Sequence, residues 1–270
     1  MRVLIEIEYK GTNYCGWQIQ KNGQSVQGAL QEVLSNFFNE KIVLFSSGRT
    51  DAGVHAKSQY AHFDLVKFFD VSKLPYAVER YLPNDICIKS ARQVQDSFHA
   101  RYSVISKTYH YHLYESKVKL PLKDEMSLQI KSTLDIDKMK QACKFFVGKH
   151  NFKAFCIPRK LDNENFEREI FCCDIEKNGN DYVFKICGKG FLHNMVRIIV
   201  GTLLMVGEGK IKPEEVKNII LSKERKNAGK TVSSKGLILY DVSYGNVWKL
   251  FKWYLDFFYK NAWQYNCYNI

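Results

Sequence analysis

The sequence predicts an α+β fold, and three observations carry that prediction. Runs at residues 2–9, 86–94 and 107–115 follow the two-residue period of half-buried strands. Apolar residues at three- and four-residue spacing within 26–37 and 136–147 have the period of amphipathic helices. A turn around Asn178, Gly179 and Asn180 joins two further strand-like runs as a hairpin, so neighbouring strands are antiparallel there. Helices interspersed with antiparallel hairpins belong to the α+β class.

In the first strand Val3, Ile5, Ile7 and Tyr9 fall on one face, with Leu4, Glu6 and Glu8 on the other. That charged alternation reads as sheet and not as a signal peptide. The loop KGTNYCGWQIQKNG leads to Ser25, an N-cap for a helix whose stripe is Val26, Leu30, Val33, Leu34 and Phe37. A short strand at 41–46, an exposed loop SGRTDAGVHAK and a strand QYAHFDL come next, then a short helix at 72–81 and strands ICIKSARQV and KTYHYHLYE. In the last of these Tyr109, Tyr111 and Leu113 share a face.

A second half begins near residue 135, where Ile136, Met139, Cys143, Phe146 and Val147 form a helical stripe that stops at Gly148. The hairpin of REIFCCDIEK and DYVFKIC is next. Phe191, Met195, Ile199, Leu203 and Val206 then read as a helix, Pro213 marks the start of another, and GLILYDVSY is a final strand. The segment 246–270 differs in composition, with three of the four tryptophans. There Trp248, Phe251, Leu255, Phe258, Ala262 and Tyr265 repeat at helical spacing, as expected of an amphipathic extension that docks on the second lobe or on a partner subunit, with stacking on bases or lying in a membrane interface as the alternatives.

The 270 residues carry 40 Lys and Arg against 28 Asp and Glu, a formal charge of +12. Such a balance favours a polyanionic partner, nucleic acid or an anionic membrane surface, because each neutralised charge releases counterions. No stretch is long and apolar enough to span a bilayer. Eight scattered cysteines without a CxxC pair fit a reducing cytoplasm. His110 and His112 with Cys172 and Cys173 contain metal-ligand types, yet HxH in a strand places two imidazoles on one face without making them ligands, and no metal is expected.

The densest chemical signal is SSGRTDAGVHAKSQYAHFD at 46–64. Gly48 and Gly53 let the backbone bend toward a ligand, Ala52 keeps bulk away from Asp51, and Arg49 is near enough in the chain to pair with that carboxylate. An ionised carboxylate held between glycines suits work at a sugar carbon, as nucleophile or base. Taken alone, the same residues also describe an Asx-turn with a surface salt bridge.

GRTDAGVH resembles the signature of the tRNA pseudouridine synthase A family. The resemblance extends in family order through EYKGTNYCGWQ, LPNDI, DSFHARYSVISKTYHY, GFLHNMVRIIVGTLLMVGEGK and KTVSSKGLILYDVSY, reaching residue 244. It implies that Asp51 is the catalytic carboxylate, that Arg49 helps hold or extrude the target nucleotide, that Tyr109 packs on the uracil, and that Arg197 ion-pairs with Asp51. Gly48, Thr50, Gly53, His55, Arg101, Lys107 and His193 are then the expected substrate-binding positions. The chain departs from the family pattern at Cys156, where an Arg is usual and Arg159 and Lys160 come after it instead, and at Glu79 and Arg80, where an Asn is usual.

The resemblance further implies two related lobes, with mainly antiparallel sheets flanked by helices, around a basic RNA-binding cleft. The lobes are expected at 1–115, carrying the catalytic loop, and 116–245, with 246–270 as the extension. The implied reaction is a cofactor-free isomerisation of uridine to pseudouridine at uridines 38, 39 and 40 of the tRNA anticodon arm, by a cytoplasmic homodimer. Two alternatives are the same chemistry on other RNA uridines and an RNA-binding module without catalysis. The latter has no need to keep Asp51, Tyr109 and Arg197 together.

Overall fold

A computed structural model describes residues 1–21, 23–158 and 165–245. Arg159, Lys160 and the aromatic extension 246–270 lie outside the described residues. The chain order is β1 (Arg2–Tyr9), α1 (Val26–Phe38), β2 (Phe45–Ser46), β3 (His55–Asp64), α2 (Leu74–Val78), β4 (Ile86–Val94) and β5 (Ser106–Glu115). It continues through α3 (Pro121–Asp124), β6 (Leu128–Ile130), α4 (Ile136–Cys143), β7 (Gly148–Asn151), β8 (Glu167–Asn178), β9 (Asp181–Gly188), α5 (Met195–Gly207), α6 (Glu215–Ser222) and β10 (Leu237–Ser243).

The strands form one mixed, mainly antiparallel sheet in the order β4-β1-β3-β10-β5-β9-β8-β7, with β2 added to β3 and β6 to β5. Helix α2 packs on β4 and α1, while α4 packs on β8 and α5. Val3, Ile5, Ile7 and Tyr9 are buried as the alternation requires, and Leu4 is buried as well. Ser25 caps α1, its hydroxyl accepting the Gly28 N–H at 3.1 Å, an interaction that contributes about 1 kcal/mol. The β8–β9 hairpin turns through Gly179 and Asn180, with Gly179 at φ 59°, the handedness that matches strand twist. Helix α5 is apolar almost all round and correspondingly buried, so it forms the core of the second half.

Three expectations change. The strand expected at 41–46 is reduced to Phe45 and Ser46, and β3 begins at His55, inside the segment expected to be loop. Phe191 precedes α5 instead of opening it, because Asn194 adopts the left-handed conformation (φ 62°) and breaks the helix before Met195. Neither α3 nor β6 is among the expected elements; β6 falls in the short alternation of Met126, Leu128 and Ile130, too brief to stand out as a strand.

The position of β10 brings the Asp51 loop and Tyr109 close together. This strand arrives from the end of the 116–245 segment and lies between two strands of the first 115 residues, parallel to β3 and antiparallel to β5. Leu239 therefore faces Ala56 on one side and Tyr109 on the other. The loop carrying Asp51, which leads into β3, and the strand carrying Tyr109 are thus spaced by one strand, about 4.8 Å from each neighbour.

Candidate active site

The loop 47–54 is held from several directions. Trp17 N–H donates to the Thr50 carbonyl at 3.1 Å, and Thr50 Oγ1 lies 2.8 Å from the buried Tyr9 hydroxyl. Gly16, at φ 111°, brings its backbone against the Thr50 carbonyl, where a Cβ would clash at 2.7 Å. Gly53 is also left-handed, at φ 74°, and a Cβ there would meet the Ser234 hydroxyl at 2.6 Å. Asp51, the residue between these anchors, is thereby presented at 23% side-chain exposure.

The nitrogen groups that face this carboxylate come from the far side of the cleft. Arg197 Nη1 lies 3.9 Å from one carboxylate oxygen and His193 Nε2 3.5 Å from the other. Arg197 is itself oriented, with Nε donating to the Val232 carbonyl and Nη1 to Asn194 Oδ1, both at 2.7 Å. The Asn194 amide nitrogen is 3.2 Å from His193 Nε2, and His193 Nδ1 is 2.8 Å from the Ile157 carbonyl. Asn194, which sequence reasoning missed, thus links the Arg197 guanidinium to the His193 imidazole, whose Nε2 accepts from the amide. Arg49, the chain neighbour of Asp51, is an exposed residue lining the same cleft.

Tyr109 is buried on β5 with Phe191 edge-on at 5.1 Å, the ring planes being nearly perpendicular at 86°. Burial, reinforced by the charge of Asp51, pushes its phenol well above the usual tyrosine range, so the ring presents itself neutral. The cleft bounded by Asp51, Tyr109, Phe191 and His193 has a volume of about 1370 Å³. Gly48, Thr50, Arg101 and Lys107 also line it. At Gly48 a Cβ would run into the Lys107 ammonium group, so the glycine leaves room for that cation. Burial and the Arg101 charge push Lys107 down to about 8, and no carboxylate among the described residues pairs with it.

His55 is placed elsewhere than expected. It is 1% exposed, accepts the Gly11 N–H at Nδ1 and reaches the Lys235 carbonyl from Nε2, both at 3.1 Å. The Gly11 bond fixes the tautomer, with Nε2–H donating to Lys235, and burial pushes the imidazole pKa down. Both nitrogens are engaged with backbone, so His55 positions the loop and does not reach substrate; Gly53 likewise shapes the loop. Cys156, at the position where the resemblance leads one to expect Arg, is buried. Glu79 and Arg80 lie on an exposed 3-10 turn, where Arg80 folds over Tyr81 at 4.7 Å. His110 and His112 lie on β5, and among the described residues no group of three or more His, Cys, Asp or Glu side chains is arranged to hold a metal ion.

The chain is similar in sequence to known proteins. A sequence model of the family described as tRNA pseudouridine synthase matches residues 5–103 and 142–245. Proteins named tRNA pseudouridine synthase A are similar along nearly the whole chain. The one from Thermoanaerobacter sp. (strain X514) is 43% identical over 242 residues, covering 90% of this chain and 99% of its own. Those from Caldicellulosiruptor saccharolyticus and Staphylococcus aureus (strain MSSA476) are 41% and 38% identical, over 90% and 88% of this chain and 99% and 89% of theirs.

Proposed function

The chain belongs to the tRNA pseudouridine synthase family, a family of isomerases, and on that premise we propose that Asp51 is the reacting carboxylate in converting uridine to pseudouridine in the tRNA anticodon arm. The observation that carries the assignment is the placement of Asp51 beside Arg197 and His193 in a cleft that also contains the buried ring of Tyr109. In the reaction the N1–C1′ bond breaks, the uracil turns, and a C5–C1′ bond forms while C5 gives up a proton and N1 gains one. Product and substrate have the same atoms, so the chemistry needs no co-substrate.

Each residue has a task in that sequence. An extruded uracil needs an apolar surface, which Tyr109 supplies as an uncharged ring backed by Phe191. A carboxylate approaching RNA is repelled by phosphate, and the Arg197 guanidinium offsets that repulsion beside one oxygen, with the His193 imidazole beside the other. Arg49, Arg101 and Lys107, with Gly48 and Thr50 beside them, line the approach for the sugar-phosphate backbone. The same reading includes uridines 38, 39 and 40 as targets, two lobes gripping the tRNA, and a cytoplasmic homodimer working without a cofactor. It is tested by mapping pseudouridine at nucleotide resolution in total RNA incubated with the purified protein. Signal at those three positions is expected, and its absence with signal elsewhere would reassign the target.

A further inference from the structure

The cleft is larger than one extruded nucleotide requires. Its volume of about 1370 Å³ exceeds the roughly 300–1,000 Å³ of ordinary small-molecule sites. Along one rim it exposes two aromatic side chains that the catalytic assignment does not use. Tyr102 is 78% exposed and Phe45 47% exposed. Large aromatic surface left in water is a cost unless a partner covers it, and here it adjoins Arg101 and Lys107 in a chain of charge +12. Resting on the reading of the chain as a tRNA-modifying enzyme, we propose that Tyr102 and Phe45 form a stacking subsite for an unpaired base of the substrate RNA next to the target uridine.

The rim is preorganised for that role. The two rings come from different segments, Phe45 from β2 and Tyr102 from the loop before β5, and the buried His62 of β3 ties them together. Its Nδ1 accepts the Ala100 N–H at 3.1 Å, it hydrogen-bonds the Phe45 backbone, and its ring stacks on Phe45 at 5.1 Å with 23° between planes. Burial, with the charges of His99 and Arg2 nearby, holds His62 down to about 4, so Nδ1 stays an acceptor at neutral pH. The Tyr244 hydroxyl donates to the Ala100 carbonyl at 2.8 Å, so both backbone polar groups of Ala100 are held. The loop closes on itself as Ser103 N–H donates to the His99 carbonyl at 2.9 Å and Arg101 N–H to His99 Nδ1 at 3.1 Å. His99 then lies against the Tyr102 ring at 4.4 Å, and the Arg101 guanidinium is 5.9 Å from its centroid. An exposed π-face held rigid beside a cation is what a base can stack on at small entropic cost.

The test uses the full chain and an anticodon stem-loop carrying 2-aminopurine in place of the nucleotide adjacent to the target uridine. Binding to wild type and to Tyr102→Phe should quench the fluorescence, whereas Tyr102→Ala should leave it unquenched. The loss of one stacked base lowers kcat/KM by about 5- to 150-fold, mostly through KM, with Phe45→Ala in the same direction. Because Tyr102 is so exposed, its variants should fold, which their unfolding midpoints check. Equal quenching by wild type and Tyr102→Ala would overturn the subsite. So would a loss of turnover without a change in quenching, or a loss of self-association in its place, which would make the rim a protein contact. Failure of the wild type to form any pseudouridine would instead refute the catalytic reading, and the quenching would still decide whether a base stacks on the rim.

Discussion

The floor and the rim of the cleft are built differently, and the contrast separates chemistry from binding. At the floor every polar group with a named role has partners. Thr50 is tied to Tyr9 and Trp17, His55 to two backbone groups, and Arg197 to Val232 and Asn194. At the rim Arg49, Arg101 and Tyr102 present exposed side chains to the solvent. Bond rearrangement at C1′ needs a carboxylate fixed to a fraction of an ångström, whereas attraction to a polyanion tolerates latitude in where each cation lies. Substitutions at the floor should therefore alter turnover or stability, and substitutions at the rim should alter affinity.

The strongest way to break this contrast is Asp51→Asn. Turnover should fall by about 10³-fold or more, since the group that reacts is gone, while the tRNA dissociation constant stays within about threefold because phosphate contacts supply most of the affinity. Single-turnover assays of pseudouridine formation beside filter binding measure the two quantities separately. Near wild-type turnover would remove Asp51 from the chemistry, and a collapse of affinity would show that floor and rim are not separable.

A second comparison concerns stability. His55→Ala leaves the Gly11 N–H and the Lys235 carbonyl without their buried partner, at about 1–3 kcal/mol each, and opens a void beside the Asp51 loop. The unfolding free energy in urea should fall by about 3 kcal/mol. The rim variant Tyr102→Ala should change it by no more than about 0.5 kcal/mol. If His55→Ala were as stable as wild type but bound tRNA poorly, His55 would belong with the substrate contacts after all.

The sequence and the structure agree best where the determinants are local. Ser25 announces a cap by residue type, and Gly148 (φ 106°) and Gly179 (φ 59°) announce breaks by conformation. The strand at 107–115 is visible because Tyr109, Tyr111 and Leu113 share one buried face, and that at 86–94 through Ile86 and Ile88, beyond which a bulge shifts the register. What stayed hidden is non-local. The parallel pairing of β10 with β3 rests on two residue pairs, and no periodicity predicts a partner some 180 positions away. Asp51, Tyr109 and Arg197 were legible through motif resemblance, while their mutual placement depends on that pairing and on α5. His55 was misplaced because a buried imidazole bonded to backbone and one facing a substrate look alike in a motif. Asn194 carried a usable signal, since Asn tolerates the left-handed conformation just ahead of a helix. Tyr102 and Phe45 carried none, because aromatic residues in or near strands are ordinarily buried.

The smallest expected effect, and the one that probes the boundary between floor and rim, is the pH dependence at Lys107. Its ammonium lies over Gly48 with burial and Arg101 holding the pKa down to about 8, so near pH 8 the free protein is only half charged at this position. RNA phosphate binds the charged form, so binding raises this pKa and the complex takes up a proton. The affinity for tRNA should therefore be greatest below pH 8 and fall by up to about tenfold per pH unit above it. The effect on folding has the opposite sign. The unfolded chain keeps this proton up to about 10.5, so between 8 and 10.5 it binds more protons than the native state, and this group's contribution to stability grows as pH rises. Lys107→Arg should flatten the affinity profile, because guanidinium stays charged throughout and any slope that remains belongs to the RNA. Lys107→Met should give an equally flat profile at lower affinity, with the slope of log K against log salt smaller in magnitude by about 0.7–0.9 at pH 7. Titrations of all three proteins from pH 7 to 9 measure these differences directly. If wild type and Lys107→Arg show the same pH dependence, Lys107 does not meet a phosphate, and the Lys107 position belongs with the packed floor and not with the rim.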